Sequence, residues 1–124
     1  INDENVKKFK SEKTYVSKTD INGYEVYVGK NNKQNDYIIS KLAKDDDYWF
    51  HTRTCAGSHV LLKTNGVEPD EKIIFECCKL ARNNSSAALP SKVGVIYTKA
   101  KNLRKPPGAP LGYVTYKNEK EILV

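Results

Sequence analysis

Between Asp45 and Lys63 the chain places its only tryptophan and both of its histidines. Asp47, His51, Arg53, Ser58 and His59 are the reactive types in this stretch, and three chemistries are open to them. An acid and two imidazoles suit a divalent cation, but the helical H-E-x-x-H spacing that would gather them around one is missing. A histidine beside a serine suits general-base activation of a hydroxyl. Ser58 and His59 are adjacent on an extended segment, however, and point to opposite faces, which prevents that pairing. The third chemistry is recognition: Arg53 and His51 are expected to contact a phosphate, Ser58 and His59 are further candidate nucleic-acid contacts, and Trp49, Tyr48 and Tyr37 offer rings for stacking. The residues therefore favour binding over catalysis, with no metal and no cofactor expected; a metal-dependent, nuclease-like enzyme is the weakest alternative. For Trp49 a packing role competes with stacking and is the common fate of a lone tryptophan.

Two further stretches carry candidate contacts. The segment Lys30-Asn31-Asn32-Lys33-Gln34-Asn35-Asp36 reads as a polar loop before a helix. One Asn or Asp suffices to cap that helix. The surplus marks Lys30, Asn31, Asn32, Asn35 and Asp36 as candidate contacts to sugar or base. Charge points to the other stretch. The net charge is +6, yet no acid occurs from Cys77 to Asn118, where eight Lys and Arg lie, so the rest of the chain carries 13 cations against 15 acids. Such segregation suits a polyanion, because each cation that neutralises a phosphate releases a counterion. Lys99, Lys101, Arg104 and Lys105, followed by prolines and a glycine, are expected to form a phosphate-contacting loop.

The elements that position these residues follow from pattern. Asp20-Ile21-Asn22-Gly23 predicts a tight hairpin turn between Tyr15-Val16 and Tyr24 to Val28, since Asn-Gly supplies positive φ. Tyr37, Ile38, Leu42 and Ala43 recur at helical spacing. Tyr48 to Thr52 and Val60 to Leu62 read as two strands joined by a loop. If Tyr48 faces Leu62, the two histidines are cross-strand neighbours; if it faces Lys63, they lie on opposite faces. A second helix is predicted with Pro69 at its first position, Asp70 and Glu71 at its positive end, and an apolar stripe of Ile73, Ile74, Cys77, Leu80 and Ala81. Ser91 to Thr98 alternates as a strand, and Tyr113 to Tyr116 with Ile122 to Val124 suggests a closing hairpin. The order argues α+β, a mainly antiparallel sheet with two helices packed on it.

With 124 residues the chain has room for one domain, placed at residues 14–124 behind a polar lead-in over 1–13. It begins at Ile1 and lacks Met, which predicts a piece of a larger multidomain protein. No apolar run of about 18 residues and no leader pattern occur, so neither a membrane nor secretion is expected, and a cytoplasmic location is. Cys55, Cys77 and Cys78 fit neither a zinc knuckle nor a disulfide framework and are read as free thiols.

Three ordered blocks carry a resemblance. Asp47-Tyr48-Trp49-Phe50-His51 with Gly57-Ser58-His59-Val60, Gly29 to Asp36, and Gly108-Ala109-Pro110-Leu111-Gly112-Tyr113-Val114 together resemble the signature of the NFACT-R domain from about Tyr24 to Val124. Where that family usually has Pro before Gly-Ser-His, this chain has Ala56. The resemblance implies an RNA-binding module of a ribosome-associated quality control factor. Such factors bind a stalled large subunit carrying peptidyl-tRNA and help recruit tRNA for carboxy-terminal tailing of the nascent chain. The implied partners are ribosomal RNA of the large subunit and/or tRNA. Bacterial members also carry the label fibronectin-binding protein, so an adhesive module that binds fibronectin is the alternative.

Overall fold

The computed structural model describes residues 15–87 and 92–124. The expected lead-in over 1–13 and Ser91, the start of the expected fifth strand, lie outside them. Among the described residues six strands form one sheet: β1 (Ser17–Ile21), β2 (Tyr24–Val28), β3 (Tyr48–Thr52), β4 (Val60–Leu62), β5 (Gly94–Lys99) and β6 (Lys120–Leu123). Their order is β1-β2-β4-β3-β5-β6, and every pairing is antiparallel. Among the described residues two α-helices complete an α+β fold, α1 (Asn32–Tyr37) and α2 (Glu71–Asn83). The β1–β2 turn is the expected one, with Asn22 at φ 49° and Gly23 at φ 90°.

The sheet separates two cores because side chains alternate across it. On one face Val26, Val28, Phe50, Val60, Leu62 and Val95 meet the α2 stripe of Ile73, Ile74, Cys77, Cys78 and Ala81. Each large side chain buried there contributes roughly 1.5–3 kcal/mol. On the other face Trp49, Ile96 and Leu103 form a smaller core closed by Ala100 and Val114. Helix α2 starts two residues later than the sequence suggests: Asp70 is the cap, its carboxylate accepting from the Ile73 amide at 3.0 Å, and Pro69 precedes it. A short polar side chain satisfies an orphan amide there, which proline at the first turn does not.

Two expectations are corrected. The amide-rich segment is not a loop before a helix but the helix itself: Asn31 caps α1, accepting from the Gln34 amide at 2.9 Å, while the Gln34 side chain accepts from the Lys30 amide at 2.8 Å. This reciprocal capping starts the helix early, and a single π-type turn over Ile38–Leu42 ends it. The closing hairpin does not form either. Segment 120–123 pairs with β5, whereas Tyr113 to Tyr116 makes one bridge, Thr115 to Arg104, and lies over the Trp49 face. That face needed a cover, and the apolar side of this segment provides it.

Asp47 sets the start of β3. Only 2% exposed, its carboxylate accepts from the amides of Lys44 and Thr64 and pairs with the Lys63 ammonium, which also donates to the Leu42 carbonyl at the end of the π turn. Those bonds make Asp47 a structural anchor and draw it away from the histidines. Cys55, Cys77 and Cys78 are free, and burial pushes the Cys77 and Cys78 thiols up to about 12, so both stay protonated.

Candidate nucleic-acid interface

The register places Tyr48 opposite Leu62, which makes His51 and His59 cross-strand neighbours with ring centroids 5.1 Å apart. Both are committed. The Trp49 indole N–H donates to His59 Nδ1 at 3.0 Å; an indole nitrogen only donates, so the His59 proton sits on Nε2. His59 is 5% exposed. Burial, and then the charge on His51, hold its pKa down at about 3, so it does not gain a proton near pH 6 as a phosphate-binding histidine would. His51 lies with Nδ1 2.6 Å from the Thr52 carbonyl and Nε2 3.2 Å from the Gly57 carbonyl, tying down the loop between β3 and β4. That loop bears Ala56 in place of proline, and the end of α2 holds it instead: the Ser58 amide donates to the Asn84 carbonyl, the Ser86 amide to the Ala56 carbonyl, and Gly57 bridges Ser85. Ser58 itself is buried.

The amide segment divides into structural and exposed residues. Asn35 is buried, and its Oδ1 accepts from the His59 amide at 3.1 Å. Gly29 makes room for it, because a Cβ there would lie 2.0 Å from Asn35 Oδ1. Asp36 accepts from the Lys105 ammonium and, at 3.2 Å, from the Gly112 amide. The Lys105 bond holds its carboxyl below the usual carboxylate range. This clasp fastens the basic loop to α1. Lys30 donates to Asn84 Oδ1 at 2.8 Å. Asn31, Asn32 and Lys33 are exposed beside Gly112, where a Cβ would lie 3.3 Å from the Asn32 carbonyl.

The four cations of the basic loop differ as well. Lys99 faces Glu68 at 3.6 Å and Asp46 at 3.9 Å and lies over the Tyr48 ring, and Lys105 is clasped by Asp36. Acids far away in sequence thus return beside two of the four. Lys101 and Arg104 are exposed and make no ion pair among the described residues; two backbone carbonyls, of Lys101 and Leu103, position the Arg104 guanidinium. Arg53 lies on the His51 side as expected, but Glu121 at 2.8 Å and Glu119 at 3.6 Å neutralise it. Trp49, at 2% exposure, belongs to the smaller core, so its ring is covered rather than offered. Two rings that the sequence pattern assigns to a strand are exposed beside Trp49: Tyr113 at 50% and Tyr116 at 36%, the latter packed 5.6 Å from Trp49. Their spacing among Gly and Pro was the available signal. Among the described residues no three His, Cys, Asp or Glu side chains gather to hold a metal, and no helix is long and apolar enough to cross a membrane.

The architecture is that of an α+β module whose sheet face opposite α2 is covered by a basic loop fastened to α1, with amides, cations and tyrosines left at its rim. The chain belongs to the family described as NFACT protein RNA binding domain, whose model matches residues 6–118. It is 42% identical over 102 residues to Rqc2 homolog RqcH of Bacillus subtilis and 33% identical over 104 residues to the coiled-coil domain-containing protein 25 homolog of Dictyostelium discoideum. These alignments take in 82% and 80% of this chain, but 18% of the first relative and 50% of the second. A solved structure, the C-terminal part of the fibronectin/fibrinogen-binding protein from Streptococcus suis, superposes with a TM-score of 0.82 at 34% identity over 91% of this chain and 46% of that one.

Proposed function

We propose that this domain, residues 14–124, is the RNA-contacting module of a longer ribosome quality control factor, touching large-subunit ribosomal RNA and/or tRNA while a stalled nascent chain receives its carboxy-terminal tail in the cytoplasm. One observation carries this reading: the Asp36 clasp sets the basic loop against α1, so that Lys101 and Arg104 stand on the same side of the sheet as exposed Asn31, Asn32, Lys33, Tyr113 and Tyr116. Cations for phosphate, amides for sugar and base edges, and rings for stacking are the parts that RNA recognition uses. Relatives named Rqc2 homolog RqcH support the ribosomal setting. The work is binding, not catalysis, since His51 and His59 are committed to carbonyls and to Trp49, and Ser58 is buried.

The likeness to a Streptococcus suis protein named for binding fibronectin and fibrinogen favours a second reading, an adhesive module for fibronectin. Side-by-side binding to ribosomal RNA, tRNA and fibronectin across a salt series separates the two. RNA binding is expected to weaken steeply from low to moderate ionic strength. Salt-insensitive capture of fibronectin, with no RNA binding, would replace the first reading with the second.

A further inference from the structure

The small cleft beside the histidines has a chemistry of its own. It measures about 220 Å³ and is bounded by Trp49, His51, His59, Arg53, Tyr113 and Tyr116. Pockets for drug-sized ligands run roughly 300–1,000 Å³, so this one holds a single ring system. Its base is apolar and buried, Trp49 and Ile96 being 2% and 1% exposed, and its rim is the two exposed tyrosines. Its arginine, Arg53, is already matched by Glu119 and Glu121. Phosphate therefore gains little by entering. One donor is free: with Nδ1 occupied by Trp49, the Nε2–H of His59 has no partner among the described residues, in a side chain that lines the cleft and is otherwise buried. The ring is mostly buried, but Nε2 is not among the fully buried unpartnered atoms, so this donor is reachable from the cleft and a ligand acceptor can take the place of water on it.

We propose that this cleft receives one unstacked nucleobase, stacked against Tyr113 or Tyr116 and accepting a hydrogen bond from His59 Nε2 at a ring nitrogen or carbonyl, while its phosphates run outward to Lys101 and Arg104. The proposal rests on the RNA reading above and adds a division of labour to it: the loop takes charge, the cleft takes a base. Arg53 serves as a neutralised wall of the cleft and not as a phosphate ligand.

The test compares the 124-residue chain binding to single-stranded RNA hexamers and to a hexamer of equal length and charge that lacks bases, with the fluorescence of Trp49, the only tryptophan, as a second readout. The base-bearing hexamers are expected to bind about tenfold more tightly, the effect of one base stacking on an aromatic ring, and to change Trp49 emission. Tyr116→Ala should bring them down to the abasic level without altering abasic affinity, and Tyr116→Phe should restore the difference. Tyr113→Ala, at the more exposed ring, serves the same purpose if Tyr116→Ala fails to fold. Equal affinity for the two kinds of hexamer, with both weakened by Lys101→Ala/Arg104→Ala, would overturn the cleft proposal and leave the RNA reading standing. Binding of neither hexamer at low salt would overturn both.

Discussion

The two faces of the sheet are built from different chemistry. Under α2 the packing is aliphatic and aromatic, filled by Phe50, Val60, Leu62, Ile73 and Cys77, with two buried thiols held neutral. On the opposite face the core is three residues deep, Trp49, Ile96 and Leu103, and much of the rest is hydrogen bonding: Trp49 to His59, Asn35 to the His59 amide, His51 to two carbonyls. The first face supplies stability by excluding water, which is insensitive to small shifts in direction. Hydrogen bonds are directional, so the second face fixes where its loops stand. A binding surface needs the latter property, and the exposed amides, cations and rings all lie on segments that the second face secures.

Truncation should break this comparison most visibly on the α2 side. Phe50 is fully buried, and Phe50→Ala is expected to cost about 3–5 kcal/mol, enough to unfold much of the population of a domain this size, as read by urea denaturation. A loss under about 1 kcal/mol would mean that the main core lies elsewhere.

Acidification should single out the second face. His59 titrates at about 3 when folded against 6.5 in its ordinary state. In that interval the unfolded chain binds a proton that the folded chain does not, so the histidine's contribution is complete above about pH 6.5 and is lost progressively as pH falls toward the folded value. The slope is about 1.4 kcal/mol per pH unit from one group. Denaturation of the parent chain and of His59→Gln between about pH 7 and 5 checks this: the parent should lose stability along that slope and the variant should be flatter. Parallel curves would show that His59 is protonated in the folded chain.

Asn35→Ala should cost about 1–3 kcal/mol, because the His59 amide is left buried without an acceptor. Within the same segment the amides should separate sharply. Asn31→Ala removes the α1 cap and is expected to cost about 1 kcal/mol. Asn32→Ala, at an exposed side chain that caps nothing, should lie within about 0.5 kcal/mol of the parent and act on RNA affinity instead. Thermal melts of the three variants rank them; a large loss at Asn32 would make the whole segment structural.

The antiparallel α+β fold, the strands at Tyr48 and Val60, the Asn22-Gly23 turn and the α2 stripe were legible in the sequence, since each of these depends on local periodicity or turn chemistry. Sequence pattern misleads where distant residues decide. Acids absent from the stretch Cys77 to Asn118 return in space, Asp36 at Lys105 and Glu68 at Lys99, and outside that stretch Glu121 meets Arg53. Charge segregation along a chain does not show which cations stay unpaired once it folds. The register of β3 on β4 was likewise set by burying Phe50, Val60 and Leu62 on one face, a choice among whole-strand alternatives that neither histidine reveals alone. Tyr113 and Tyr116 were legible as strand formers and found a different use because β5 already had β6 as its partner.

If the rim of the second face, and not net charge in general, meets RNA, then cations of one loop should differ in their effect. The salt dependence of RNA affinity tests this most directly, measured for two double variants, Lys101→Ala/Arg104→Ala and Lys99→Ala/Lys105→Ala. Removing two phosphate-binding cations from a single-strand complex should flatten the logarithmic salt slope by about 1.4. That change is predicted for the first pair, whose cations make no ion pair among the described residues, and a smaller one for the second, whose cations face Glu68, Asp46 and Asp36. Equal slopes for both variants and the parent would contradict a role for this rim in RNA binding.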